Sequence, residues 1–139
     1  MEDKDKKKYI DIILQEIFEL EESVIDKTRE PELRDSITRA VNGDMPQKHL
    51  VINIDETAVI YILTNLRIIV IDIDATKIQS SSFVLNAITN IQTEKLLEEG
   101  TVETRIVFQN NSFGLIYPID DKKASDFFQA IDNLRVKNR

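Results

Sequence analysis

Nucleophilic catalysis needs a serine, threonine or cysteine held close to a base. This 139-residue chain offers one histidine, His49, beside Lys48 at the mouth of a predicted strand, where it reads as an incidental surface residue. Cysteine is absent, which removes disulfides, thiolate metal sites and thiol nucleophiles together. Neither HExxH, CxxC nor a histidine pair at ligand spacing occurs, so no zinc site is expected. The three glycines, Gly43, Gly100 and Gly114, are too far apart for a phosphate-cradling loop. Paired acids stand at Asp55-Glu56, Asp72/Asp74, Glu98-Glu99 and Asp120-Asp121, all at predicted turns or a helix start. Acids in such places solvate loops or cap backbone amides, and nothing converges them into a glycosidase or calcium site. The residue types therefore point away from an enzyme and imply no cofactor and no metal.

Charge narrows the partners. The formal charge is -7, from 25 acids against 18 bases, which argues against a broad nucleic-acid or anionic-membrane footprint. The cluster Lys4, Lys6, Lys7 and Lys8 is interleaved with Asp3 and Asp5 and reads as a solvated helix start. The first residues, MEDKDKKKY, carry three acids, the apolar stretch after them is broken by Asp11, Gln15, Glu16 and Glu19, and no signal peptide is expected. No window reaches the roughly 18 apolar residues of a membrane span. With no cysteine, the expected location is cytoplasmic.

These residues are positioned by two kinds of segment. Residues 5–27 predict an amphipathic helix, because Ile10, Ile13, Ile17, Leu20 and Val24 recur at spacings of three and four on one stripe, widened by Leu14, Phe18 and Ile25. A second helix is expected from Pro31, with Leu33, Ile37, Ala40 and Val41 on its apolar face and Gly43 as its stop. Asp44-Met45-Pro46 then breaks the pattern, and a boundary is placed there, giving a helical piece 1–46 and a β-rich piece 47–139. From His49 the period changes to two. Strands are predicted from His49 to Asp55, Ala58–Leu63, Arg67–Ile73, Ile78–Leu85, Ile88–Glu94, Thr101–Gln109 and Phe113–Tyr117. Seven short strands at close spacing favour an antiparallel barrel or sandwich. A last helix, capped by Asp120 or Asp121, buries Ala124, Phe127, Phe128, Ile131 and Leu134.

The segment Ala58–Asp74 is apolar at almost every position of two successive strands. A strand with one face in water alternates, so both faces of this hairpin must be covered. Thr64-Asn65 suits the reversal, since asparagine tolerates left-handed backbone and both side chains bond nearby amides.

Seven antiparallel strands followed by one amphipathic helix resemble the element order of pleckstrin-homology-like domains. Tyr61-Ile62-Leu63-Thr64-Asn65-Leu66-Arg67-Ile68-Ile69-Val70-Ile71-Asp72 is similar to the hairpin of bacterial members, which carry Leu-Thr-Asn-x-Arg before an aliphatic run. Ile88-Thr89-Asn90-Ile91 resembles the lead into their fifth strand. The resemblance spans about residues 49–136 and leaves the first two helices unexplained. It implies an α+β fold, a seven-stranded partly open barrel with a C-terminal helix, preceded here by two helices. Members that bind phosphoinositides use basic residues in the first strand-to-strand loop, whereas that loop here is the acidic Asp55-Glu56-Thr57.

The function expected is a non-enzymatic interaction module working through protein–protein contacts, with self-association into a homo-oligomer permitted. The alternative is a peripheral membrane or lipid-binding module. If Ile69, Ile71 and Ile73 point inward, Ile68 and Val70 point outward, beside an apolar Ile60 and Ile62. That ribbon needs a cover from the N-terminal helices, a second subunit or a partner. The interface candidates are therefore Ile60, Ile62, Ile68 and Val70 on the hairpin, with Ile10, Ile13, Ile17, Leu20 and Val24 on the first helix.

Overall fold

The apolar stripe at Ile10, Ile13, Leu14 and Ile17 forms the buried side of helix α1, Asp3–Glu19, in the computed structural model of the chain. The structure describes residues 3–20, 25–54, 57–96 and 100–137. Helix α1 is shorter than the sequence stripe suggests. Its last turn has no basic residue, and Glu16 and Glu19 place negative charge at the negative end of the helix dipole. Val24, the last member of the stripe, lies outside the described residues, as do Asp55, Glu56 and the pair Glu98-Glu99.

Asp26 caps a single 3-10 turn, Lys27–Arg29, by accepting the Thr28 amide at 2.9 Å. Helix α2, Glu30–Val41, follows with Pro31 in its first turn. The left-handed residue that ends it is Asn42, at φ 50°, and not the expected Gly43. Leu33, Ile37 and Val41 form its buried face.

Four strands come next: β1 (Pro46–Ile54), β2 (Thr57–Thr64), β3 (Arg67–Ile73) and β4 (Ile78–Val84). They form one sheet in sequence order, with β1–β2 and β2–β3 antiparallel. Asp74 shapes the β3–β4 turn by accepting the amides of Thr76 and Lys77 at 2.8 and 2.9 Å, and Arg29 donates to its carbonyl. A second sheet contains β5 (Ile88–Lys95), β6 (Thr101–Phe108) and β7 (Ser112–Pro118), also in sequence order. Helix α3, Lys122–Lys137, closes the chain, and Asp121 caps it by accepting the Ala124 amide at 3.1 Å.

The chain forms two compact units, residues 1–83 and 84–139. The sequence boundary at residue 46 marks the change from helix to strand, whereas α1 and α2 share a compact unit with the first sheet. In the second unit β6 buries Val102, Thr104, Ile106 and Phe108 in strict alternation. Tyr117 of β7 stacks on Phe128 of α3 with ring centroids 5.6 Å apart, and its hydroxyl meets that of Thr104 at 2.6 Å.

Candidate interaction surface

The register of the β2–β3 hairpin decides which apolar residues meet the helices. Ala58 pairs with Ile73, Ile60 with Ile71 and Ile62 with Ile69, so these six side chains share one face. They form a single buried cluster with Ile10, Ile13, Leu14 and Ile17 of α1 and Leu33, Ile37 and Val41 of α2. Leu20, Phe18 and Val51 pack on its margin. At about 1.5–3 kcal/mol for each large aliphatic side chain buried, this layer is the main attachment of the helices. The other face of the hairpin, with Val59, Tyr61, Leu63 and Ile68, is buried too.

Ile68 and Val70 therefore need correcting. The strand pairs place Leu63 opposite Ile68 and Tyr61 opposite Val70, on the face away from the helices. Ile69, Ile71 and Ile73, and not Ile68 and Val70, share the helix-covered face with Ile60 and Ile62. The cause is register. A side-chain period of two means that the turn alone chooses the face, and two almost equally apolar faces give hydrophobicity no preference.

The turn is fixed by polar groups. Thr64 is buried, and its hydroxyl accepts the amides of Leu66 and Arg67 at 3.1 and 2.9 Å while donating to Asp44 at 3.0 Å. Arg67 Nε donates to the same Asp44 oxygen at 2.7 Å, and the guanidinium also donates to the carbonyls of Ala40 and Val41 at 2.9 and 3.3 Å. Those are carbonyls at the end of α2, which lack intrahelical partners. Asn65 exchanges bonds with Met45: its side chain accepts the Met45 amide and its amide donates to the Met45 carbonyl, both at 3.2 Å. Among the described residues only Asn42 and Gly100 have positive φ, so Asn65 serves through its side chain and not through left-handed backbone. The Leu-Thr-Asn-x-Arg stretch thus ties the hairpin to α2 as well as reversing the chain.

His49 also differs from its expected place. Its side chain is 14% exposed and sits between two residues of α1. Nε2 is 3.0 Å from a Glu16 oxygen, and Nδ1 is 3.0 Å from the Tyr9 hydroxyl. An ionised carboxylate only accepts, so Nε2 carries the proton and, in the neutral ring, Nδ1 accepts from Tyr9. Burial first, and then the Glu16 charge, push the Tyr9 phenol up to about 12. Sequence spacing could not find this trio, because Tyr9 and Glu16 are two helical turns apart and His49 lies on β1.

Two of the cations beside the α1–α2 cleft have partners within the chain. A cleft of about 510 Å³ between α1 and α2 is lined by Lys6, Lys7, Ile10, Arg34, Thr38 and Asn42. Arg34 is bonded to Asp11 at 2.5 Å and Glu30 at 3.1 Å, and Lys6 donates to the Asn42 carbonyl. Asp72, on β3, has its carboxyl raised above the usual range by burial, and Tyr61 is pushed up to about 12 by burial and then by Asp72. Asp74 is held low by its amide bonds. No group of three or more potential metal ligands occurs among the described residues, and no helix among them is long and apolar enough to cross a membrane.

Antiparallel sheets of four and three strands, a C-terminal helix and helices before the first strand define an α+β, pleckstrin-homology-like fold. A pleckstrin homology domain from Shewanella amazonensis, solved by crystallography, is similar in fold with a TM-score of 0.53 and 15% identity; the match covers 76% of this chain and 96% of that one. A DUF1696 family protein with a pleckstrin-homology domain from Shewanella loihica gives a TM-score of 0.47 and 16% identity, covering 73% and 92% of the two chains. No protein-family model matches the sequence, and no curated protein does.

Proposed function

We propose that the chain is a non-enzymatic pleckstrin-homology-like interaction module that acts through protein–protein contacts, self-association among them. The supporting observation is the end of the β2–β3 hairpin. Leu66 and Met45, 54% and 39% exposed, stand on either side of the Asn65–Met45 bonds, beside the buried Thr64–Asp44–Arg67 network. Apolar side chains held in water on a pre-ordered polar frame lose little entropy on docking, which favours contact with another protein. Ile10, Ile13 and Ile17 of α1 and Ile60 and Ile62 of β2 belong to one buried cluster within the chain.

The competing reading is a peripheral membrane module. The acidic balance of -7 disfavours anionic lipid, and the Arg34 and Lys6 cations near the α1–α2 cleft have partners in the chain. Sedimentation with anionic liposomes at low salt separates the two. The chain is expected to stay in the supernatant, and co-sedimentation abolished by salt would replace the protein-contact reading with the lipid one.

A further inference from the structure

Four strands lie at sheet edges, where unpaired backbone groups invite another strand. Three of them carry residues that discourage it: Pro46 and Lys48 in β1, Glu94 and Lys95 in β5, and Pro118 in β7. The fourth, β4, reads Ile78-Gln79-Ser80-Ser81-Ser82-Phe83-Val84, with neither proline nor charge. From Ile78 to Thr93 the sequence has no charged residue at all, in a chain that is 31% charged. Gln79, Ser80, Ser81 and Ser82 are exposed in succession, so residues on both faces of β4 are open to water.

We infer that the β4 edge pairs antiparallel with the β4 edge of a second copy of this chain, about a twofold axis at Ser81. In that register Ser80 faces Ser82, Ile78 faces Val84, and Ser81 faces its own counterpart. A twofold contact brings residues close to the axis near their own symmetry mates, so a charge there would meet a like charge. The β4 sequence avoids this. Lys77, which precedes β4 and is the nearest charged residue in the sequence, is four positions from the axis, which sets the two Lys77 backbones roughly 26 Å apart along the paired strands. Serine hydroxyls both donate and accept, so identical residues facing each other can bond without a complementary partner type. The pairing would join two four-stranded sheets into one of eight, and it uses up the edge that made it, so growth stops at two.

This inference deepens the self-association part of the reading above and rests on it. The test is sedimentation velocity of the full chain over a wide concentration range. The proteins compared are the wild type, Ser81→Lys, Ser81→Glu and an equimolar mixture of the two variants. The wild type is expected to approach twice the monomer mass and no more. Each variant alone is expected to weaken association at least tenfold, and the mixture to recover it, because unlike charges then meet at the axis. Circular dichroism of each variant separates lost association from lost fold, and Ser80→Lys, one residue from the axis, is a second variant judged by the same criterion. Variants that associate like the wild type would overturn the β4 edge and leave self-association standing. A wild type that stays monomeric throughout would overturn the inference and self-association together, leaving contact with a different protein. Assembly beyond two copies would overturn the twofold geometry.

Discussion

Arg67 Nε donates to Asp44 at 2.7 Å, joining the start of β3 to the residue two beyond the left-handed end of α2. Both side chains are largely buried, and Arg67 also serves the final α2 carbonyls, so removing either leaves a desolvated charge behind. Arg67→Ala or Asp44→Ala is expected to cost about 2–3 kcal/mol, discounted for the water that still reaches the pair. Urea denaturation of the two single variants and the double variant checks this. The double variant should lose clearly less than the sum of the two, and simple additivity would mean the pair is not coupled.

The apolar layer under the helices should be much more sensitive than their outer surface. Ile60→Ala or Ile71→Ala removes a fully buried side chain and is expected to cost about 2–5 kcal/mol. Ile12, on the solvent side of α1 and 50% exposed, should tolerate alanine within about 0.5 kcal/mol. Chemical denaturation midpoints rank the three, and a large loss for Ile12→Ala would contradict the assigned faces of α1.

Deleting residues 1–43 strips the cover from Ile60, Ile62, Ile69 and Ile71. The remaining chain is expected to aggregate or to associate through that face, as seen by light scattering. A soluble, monomeric product would show that the helices do not protect the hairpin.

Stability should fall at alkaline pH. Tyr9 and Tyr61 ionise at about 12 in the folded chain, against the usual 10.0. Below 10 both the folded and unfolded states keep the proton, and the contribution of these phenols is fully present. As pH rises from 10 to about 12 the unfolded chain loses its protons first, so the folded state loses ground throughout that window. Denaturation midpoints measured across it should decline for the wild type and less steeply for Tyr9→Phe. An unchanged slope in that variant would mean that Tyr9 is not buried as described.

Much of the fold is legible in the sequence because each element has its own period. The run Arg67–Ile73 gives the observed β3 without adjustment, and β6 buries the alternate residues Val102, Thr104, Ile106 and Phe108 that its pattern marks. What local pattern does not carry is the choice of face on a hairpin apolar on both sides, which Thr64 and its long-range partner Asp44 decide. Locally Asp44 reads as part of a helix stop and Arg67 as the start of a strand, and their bond, which spans 23 positions, leaves no local pattern. The setting of His49 is hidden from local pattern for the same reason: its neighbours in space, Tyr9 and Glu16, lie 40 and 33 residues back along the chain.

That histidine has a practical consequence. Being the sole imidazole in the sequence, it gives a proton spectrum in which the ring C–H signals belong to one residue without labelling or assignment. Its ring stands nearly perpendicular to that of Tyr9, with centroids 5.3 Å apart, inside the phenol's ring-current field. Whatever lifts the first helix off the sheet, whether heat, truncation or a docking protein, must move those signals. The molecule thus contains its own one-residue gauge of whether that helix is seated.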